Sequence, residues 1–182
     1  TPLPTFLDIT PQLPDHYREK CSKIPFLGNV CLVLRLRRSL SSTYWLNVAD
    51  PAFPFVGVIE HKNFDDSANY GGEHIAYLSK YLPTKDQLFL MNDEELLQYT
   101  IPHLQRIFPA FSPDWIIGYS VWRASYSQPV VVKHYSSLIP ASRTPVAGVW
   151  LSTMAQIYPE DRGTNYAVQY GRSIAQEMLR EL

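Results

Sequence analysis

The chain has 182 residues, of which 46% are apolar and 18% charged, and its formal net charge is −1. That length usually makes one domain, and the composition is that of a globular chain rather than a disordered one. A near-neutral balance argues against broad electrostatic attraction to nucleic acid or anionic lipid, and no run of eighteen apolar residues could span a bilayer. Cys21 and Cys31 make no disulfide framework, and no CxxC or clustered His/Cys set could hold structural zinc. This cysteine usage fits a reducing compartment, so a cytoplasmic location is expected. No signal peptide opens the chain, and Thr1-Pro-Leu-Pro is not an initiator sequence; a processed or excised piece is the expectation.

Pro2, Pro4, Pro11 and Pro14 predict an extended or turned lead-in, residues 1–24, with one short helix over Asp15–Lys23. Val30–Arg37 is the clearest strand, and its pattern changes from continuous apolar to alternating. Thr43–Val48, Phe55–Glu60 and Glu73–Lys80 are three further strands, with a polar loop over His61–Tyr70. Short connections between them point to a mostly antiparallel sheet. Asn92-Asp-Glu-Glu is a helix opening with a cap and first-turn acids. Leu96, Leu97, Ile101, Leu104 and Ile107 then recur at helical spacing, predicting a stripe that packs on the sheet, while Pro102 bends or divides the helix. Trp115–Trp122 reads as another strand, Val130–Lys133 as a short extension, and Val146–Leu151 as the last strand.

A final helix is expected from Thr164 to Leu182, with Ala167, Gly171 and Ala175 on one face. Its first N–H groups lack helical acceptors and carry a partial positive charge, which suits a phosphate or a polar ligand edge. An ordinary cap by Thr164 or Asn165 explains the same residues. Strands and helices are segregated in sequence, so the fold class is α+β: a mostly antiparallel mixed sheet with helices on one side, then a C-terminal strand and helix.

Six pieces in series carry a likeness. They are Tyr44-Trp45-Leu46-Asn47, residues 55–64, Tyr70-Gly71-Gly72-Glu73-His74, residues 77–81, residues 123–129 and residues 148–175. Together they cover most of the chain, which resembles the C-terminal part of the flavin-dependent amine oxidase and protoporphyrinogen oxidase superfamily. The resemblance implies a parent flavoprotein. Its N-terminal Rossmann-type half would bind the ADP part of FAD, and a second domain would cover the flavin ring and shape a small-molecule substrate pocket. Residues 25–140 would then be the substrate-domain portion, and residues 144–182 the returning FAD-binding strand and helix. The glycine-rich dinucleotide motif and its acidic partner are absent from this chain, so no tightly bound FAD is expected on the chain by itself.

By the same resemblance, Gly148 and Val149, and the helix entry Asp161, Gly163, Thr164 and Asn165, lie near the flavin. Asp161 would accept a ribityl hydroxyl. Arg123 would pair with a substrate carboxylate and Gln128 would donate to a carbonyl oxygen; a surface arginine and a turn proline are the plain alternative. Glu60, His61 and Asn63 form the densest polar group at a strand end, open to structural hydrogen bonding or to substrate contact by His61. No metal site and no catalytic acid or base is identified.

The implied function is a fragment of an FAD-dependent oxidoreductase, amine oxidase-like, passing hydride from a small organic substrate to flavin N5. The alternatives are a non-catalytic binding or interface domain lacking the flavin half, and a sugar mutase or desaturase/isomerase-like flavoenzyme. The expected partner is the Rossmann-type half of the same polypeptide, with homo-oligomer formation left open.

Overall fold

The structure is a computed structural model that describes residues 1–181. The chain forms two compact units: residues 27–127, and residues 1–26 with 128–182.

The first unit is built on a five-stranded sheet of order β2-β3-β4-β1-β5, with β1 Phe26–Leu36, β2 Trp45–Asn47, β3 Gly57–Glu60, β4 His74–Leu82 and β5 Ile116–Pro129. β1 pairs with β4, β4 with β3 and β3 with β2, all antiparallel. Register sorts the side chains into two faces. Leu46, Val58, Leu78 and Leu32 lie opposite one another in a row across four strands, and all belong to the core or pack on it. One residue away, Trp45, Ile59, Tyr77 and Val33 form the matching row on the other face. The two-residue period of a strand makes these rows inseparable: burying the first presents the second on the opposite surface.

Helix α4, Asp93–Ile107, covers the core face. Asn92 caps it and Glu95 returns the bond to the Asn92 N–H, so two end donors are satisfied reciprocally. Leu96, Leu97 and Leu104 are buried in the sheet's core, with Ile101 and Ile107 packed against it. The predicted stripe therefore docks where its spacing requires. Pro102 leaves α4 continuous rather than dividing it. Short helix α3, Gln87–Leu90, precedes α4.

The other unit differs more from the sequence reading. Leu3–Ile9 is a helix, α1, where the prolines predict an extended lead-in. Pro4 sits in the first turn, where its missing N–H costs nothing, and Leu3, Phe6 and Leu7 fall on one buried face. Helix α2, Asp15–Ser22, adds Tyr17 and Cys21. These pack with Leu151, Ala155 and Tyr135 of helix α5, Tyr135–Leu138, and the Tyr135 hydroxyl donates to the Ala155 carbonyl at 2.7 Å. Residues 130–133 form no strand, and neither do residues 146–151. The latter make a tight turn closed by a lone bridge between Arg143 and Trp150. Pro145 lacks a ladder donor and Gly148 takes a left-handed φ of 75°, so the backbone reverses before a strand can extend. Helix α6, Thr164–Glu181, ends the described chain; the predicted end at Leu182 lies outside it.

Candidate functional site

β3 ends at Glu60, and the chain turns at once into a 3-10 turn over His61–Asn63. Glu60 is 1% exposed. Its carboxylate accepts from the Leu40 N–H at 3.2 Å and the Ser41 N–H at 2.8 Å. Asn63 donates to the carbonyls of Ser41 and Thr43. Both residues therefore hold the 40–43 loop against the strand end, which is the structural reading of this polar group.

His61 is arranged differently. Its Nε2 lies 2.7 Å from the Tyr70 hydroxyl, which donates to Asp65 Oδ2 at 2.7 Å. Asn69 donates to the other Asp65 oxygen, and these two bonds hold the Asp65 carboxyl below its ordinary range. The same contact with Asp65 raises the Tyr70 phenol. The His61 ring meets Tyr70 and Tyr77 edge-on, with centroids 5.0 and 5.9 Å away, and Phe64 at 6.3 Å. Phe64 in turn lies 5.2 Å from Tyr44, which neighbours Trp45. Phe64 is 74% exposed and Trp45 54% exposed. An imidazole thus sits at the margin of an aromatic cluster whose Phe64 and Trp45 are exposed, while Ile59, Tyr77 and Val33 of the Trp45 row are half-buried. Large apolar side chains left uncovered together mark a surface with a ligand or partner function.

Arg123 lies within β5, not in a segment after a strand. Its Nε donates to the Phe89 carbonyl at 3.1 Å, Nη2 to the Met91 carbonyl at 2.7 Å, and Nη1 pairs with Asp93 at 2.6 Å. Every nitrogen of the guanidinium is engaged in tying the α3–α4 connection to the strand. Gln128 is the penultimate residue of β5.

In the other unit, the predicted cofactor residues fall in two places. Gly148 and Val149 line a cavity of about 250 Å³ together with Thr144, Trp150 and Glu181. Thr144 closes that turn, its hydroxyl donating to the Val149 carbonyl at 2.7 Å, and Arg143 pairs with Glu181 at 3.1 Å. Glu181 is the far end of α6 from Thr164, roughly 25 Å away at 1.5 Å per residue. Asp161, Gly163, Thr164 and Asn165 gather at the near end. Asp161 Oδ1 accepts from the Arg162 N–H at 2.9 Å. A Cβ on Gly163 would meet Asn165 Oδ1 at 2.6 Å, so a larger residue there requires the Asn165 side chain to move. The N–H groups of Thr164, Asn165 and Tyr166 precede the first intrahelical bond, made by Ala167 to the Gly163 carbonyl at 3.1 Å. The structure does not bring the Gly148 turn to this entry. Nor does it place Gly171 against a neighbour: a Cβ there meets nothing within 4 Å. Ile174 is the only buried residue among those described in α6.

Sequence reading missed Tyr70, and through it Asp65, as partners of His61, because offsets of nine and five residues within a loop carry no periodic signal. It also missed the row of Trp45, Ile59, Tyr77 and Val33, whose members lie on separate strands. Among the described residues no helix is long and apolar enough to cross a membrane.

The comparisons agree with this architecture. A candidate protoporphyrinogen oxidase from Exiguobacterium sp. 255-15 matches the whole chain with a TM-score of 0.74 at 14% identity, using 40% of its own length. Reduced UDP-galactopyranose mutase matches 69% of the chain with a TM-score of 0.54 at 14% identity, over 27% of its length. An oxidoreductase from Methanosarcina mazei matches 74% with a TM-score of 0.51 at 16% identity, over 30% of its length. The chain thus spans less than half of each of these structures, and at such identities the likeness is one of fold. No curated protein sequence matches it. The flavin containing amine oxidoreductase family matches residues 1–179, and the chain belongs to that family.

Proposed function

We propose that this chain is the substrate-side and flavin-edge portion of an FAD-dependent oxidoreductase acting on a C–N or C–C bond of a small organic molecule. The family match along residues 1–179 carries the reading. FAD, when bound, supplies the hydride acceptor. The residues present suit one polar edge of that group. The first-turn N–H groups of α6 are donors without helical acceptors, and Asp161 offers a carboxylate beside them. No glycine-rich loop is present to hold a pyrophosphate, so that part falls to a Rossmann-type half of the same polypeptide.

The substrate contact belongs to the open sheet face. His61 supplies a polar atom, and Tyr77, Trp45 and Phe64 supply flat apolar area, the combination that orients a small organic molecule. Arg123 keeps α3 and α4 on the sheet and so holds the scaffold of that face. The natural polypeptide containing this sequence should purify with flavin, and an amine substrate should bleach its visible absorbance under anaerobic conditions. Absence of flavin from that polypeptide overturns the reading; flavin that no amine bleaches confines it to non-amine substrates.

A further inference from the structure

We propose that Asp65 and Tyr70 are positioning residues that lock the tautomer of His61 and present its Nδ1 as a hydrogen-bond acceptor for a ligand carrying a neutral O–H or N–H donor. The argument counts protons. Tyr70 has one hydroxyl proton, and it goes to Asp65 Oδ2 at 2.7 Å. Asp65, with Asn69 donating to its other oxygen, is an ionised acceptor with no proton to return. The 2.7 Å contact between Tyr70 and His61 Nε2 is then a bond only when Nε2 carries the hydrogen. In the neutral ring the lone pair must therefore lie on Nδ1. That atom has no protein partner among the described residues and does not count among the buried atoms lacking one.

The surroundings say what such an acceptor would meet. The ring is half-buried, with Tyr77 and Phe64 as neighbours and Tyr44 tilted against Phe64. Flat hydrocarbon beside one fixed acceptor suits a planar apolar molecule with a single donor, such as a phenol. Among the hydrogen bonds described, no lysine or arginine reaches His61. This inference rests on the substrate-contact role proposed for His61, and deepens it by naming the atom and the residues that set it.

The test is the ring nitrogen spectrum of His61 by NMR on the intact chain, read on the neutral form of the ring. The wild type should show a protonated Nε2 and a bare Nδ1. Asp65→Ala frees the Tyr70 proton to donate to Nε2, so the Nδ1–H tautomer should rise. Tyr70→Phe should return the ring to the mixture of a free imidazole. Amide shifts of β4 confirm that each variant is folded. A wild type already protonated on Nδ1, or tautomer ratios unmoved by both variants, would overturn the proposal. p-Cresol added to the wild type should shift the Nδ1 resonance, and its methyl ether should not. A correct tautomer pattern that p-cresol leaves untouched keeps the lock and removes the ligand contact, and with it the substrate role of His61.

Discussion

The Arg123 guanidinium on β5 and the Asp93 carboxylate at the start of α4 form an ion pair of 2.6 Å. The pair does more than join two surfaces. Asp93 lies in the first helical turn, where negative charge is favoured, and the other two Arg123 nitrogens satisfy the Phe89 and Met91 carbonyls just before it. One side chain thus holds a helix start, a preceding turn and a strand.

Replacing Arg123 by alanine should therefore lower unfolding stability by about 1–3 kcal/mol, discounted for the exposure of Asp93. Arg123→Lys should recover less than half of this, because an ammonium cannot fork to three acceptors at once. Urea unfolding of the two variants checks the order. Equal stability of wild type and Arg123→Ala would return this residue to the pool of substrate contacts.

Glu60 is a buried carboxylate with two backbone donors. Glu60→Ala strips both partners from the Leu40 and Ser41 N–H groups and should cost about 2–4 kcal/mol. The loss should be accompanied by faster proteolysis within residues 39–43, since the loop loses its anchor. A variant as stable as the wild type in urea would show that water replaces the carboxylate without cost.

His103 gives a pH dependence. It packs edge-on against Phe53 and tilted against Tyr99, and burial followed by the Arg106 charge lowers it below its ordinary value of 6.5; Asp50 opposes weakly. A histidine depressed in the folded state contributes stability that is present above its unfolded value and lost as pH falls through the folded one. Tm should drop between neutral and mildly acidic pH, and His103→Gln should flatten that drop. Parallel Tm profiles for the two proteins would assign the acid sensitivity elsewhere.

A Cβ on Gly171 would meet nothing among the described residues, so Gly171→Ala should stabilise α6 here, by about 0.5–1 kcal/mol from helix propensity. If α6 lies against a flavin-binding half in the natural polypeptide, Gly171→Leu should release flavin there without unfolding the sheet unit. Asp161→Ala should do the same if the carboxylate holds a ribityl hydroxyl. Flavin content of the purified polypeptides is the measurement, and unchanged occupancy in both would make α6 a packing helix only.

The α4 helix was legible residue by residue. The Asn92 cap, the acids behind it and leucines at helical spacing are local signals, and each acts within a turn or two of chain. Strands β1 to β4 were legible for the same reason, because apolar runs and alternation are properties of neighbours. Helix α1 was not: its prolines advertise an extended segment, and only a buried partner surface makes the helix worth forming for Leu3, Phe6 and Leu7. The 146–151 segment failed in the opposite direction. Its apolar run has strand composition, but Gly148 and Pro145 reverse the backbone and Thr144 closes the turn with its own hydroxyl. The candidate site was half visible. His61 stood out as a titratable residue at a strand end, whereas its link to Tyr70 and Asp65 depends on a loop that folds back on itself. Local preference and period belong to the sequence, since they follow from bonded geometry and side-chain shape. Which face of the sheet is buried was decided by strand pairings between residues far apart in the chain, and the partners of His61 by the way the 61–70 loop folds back.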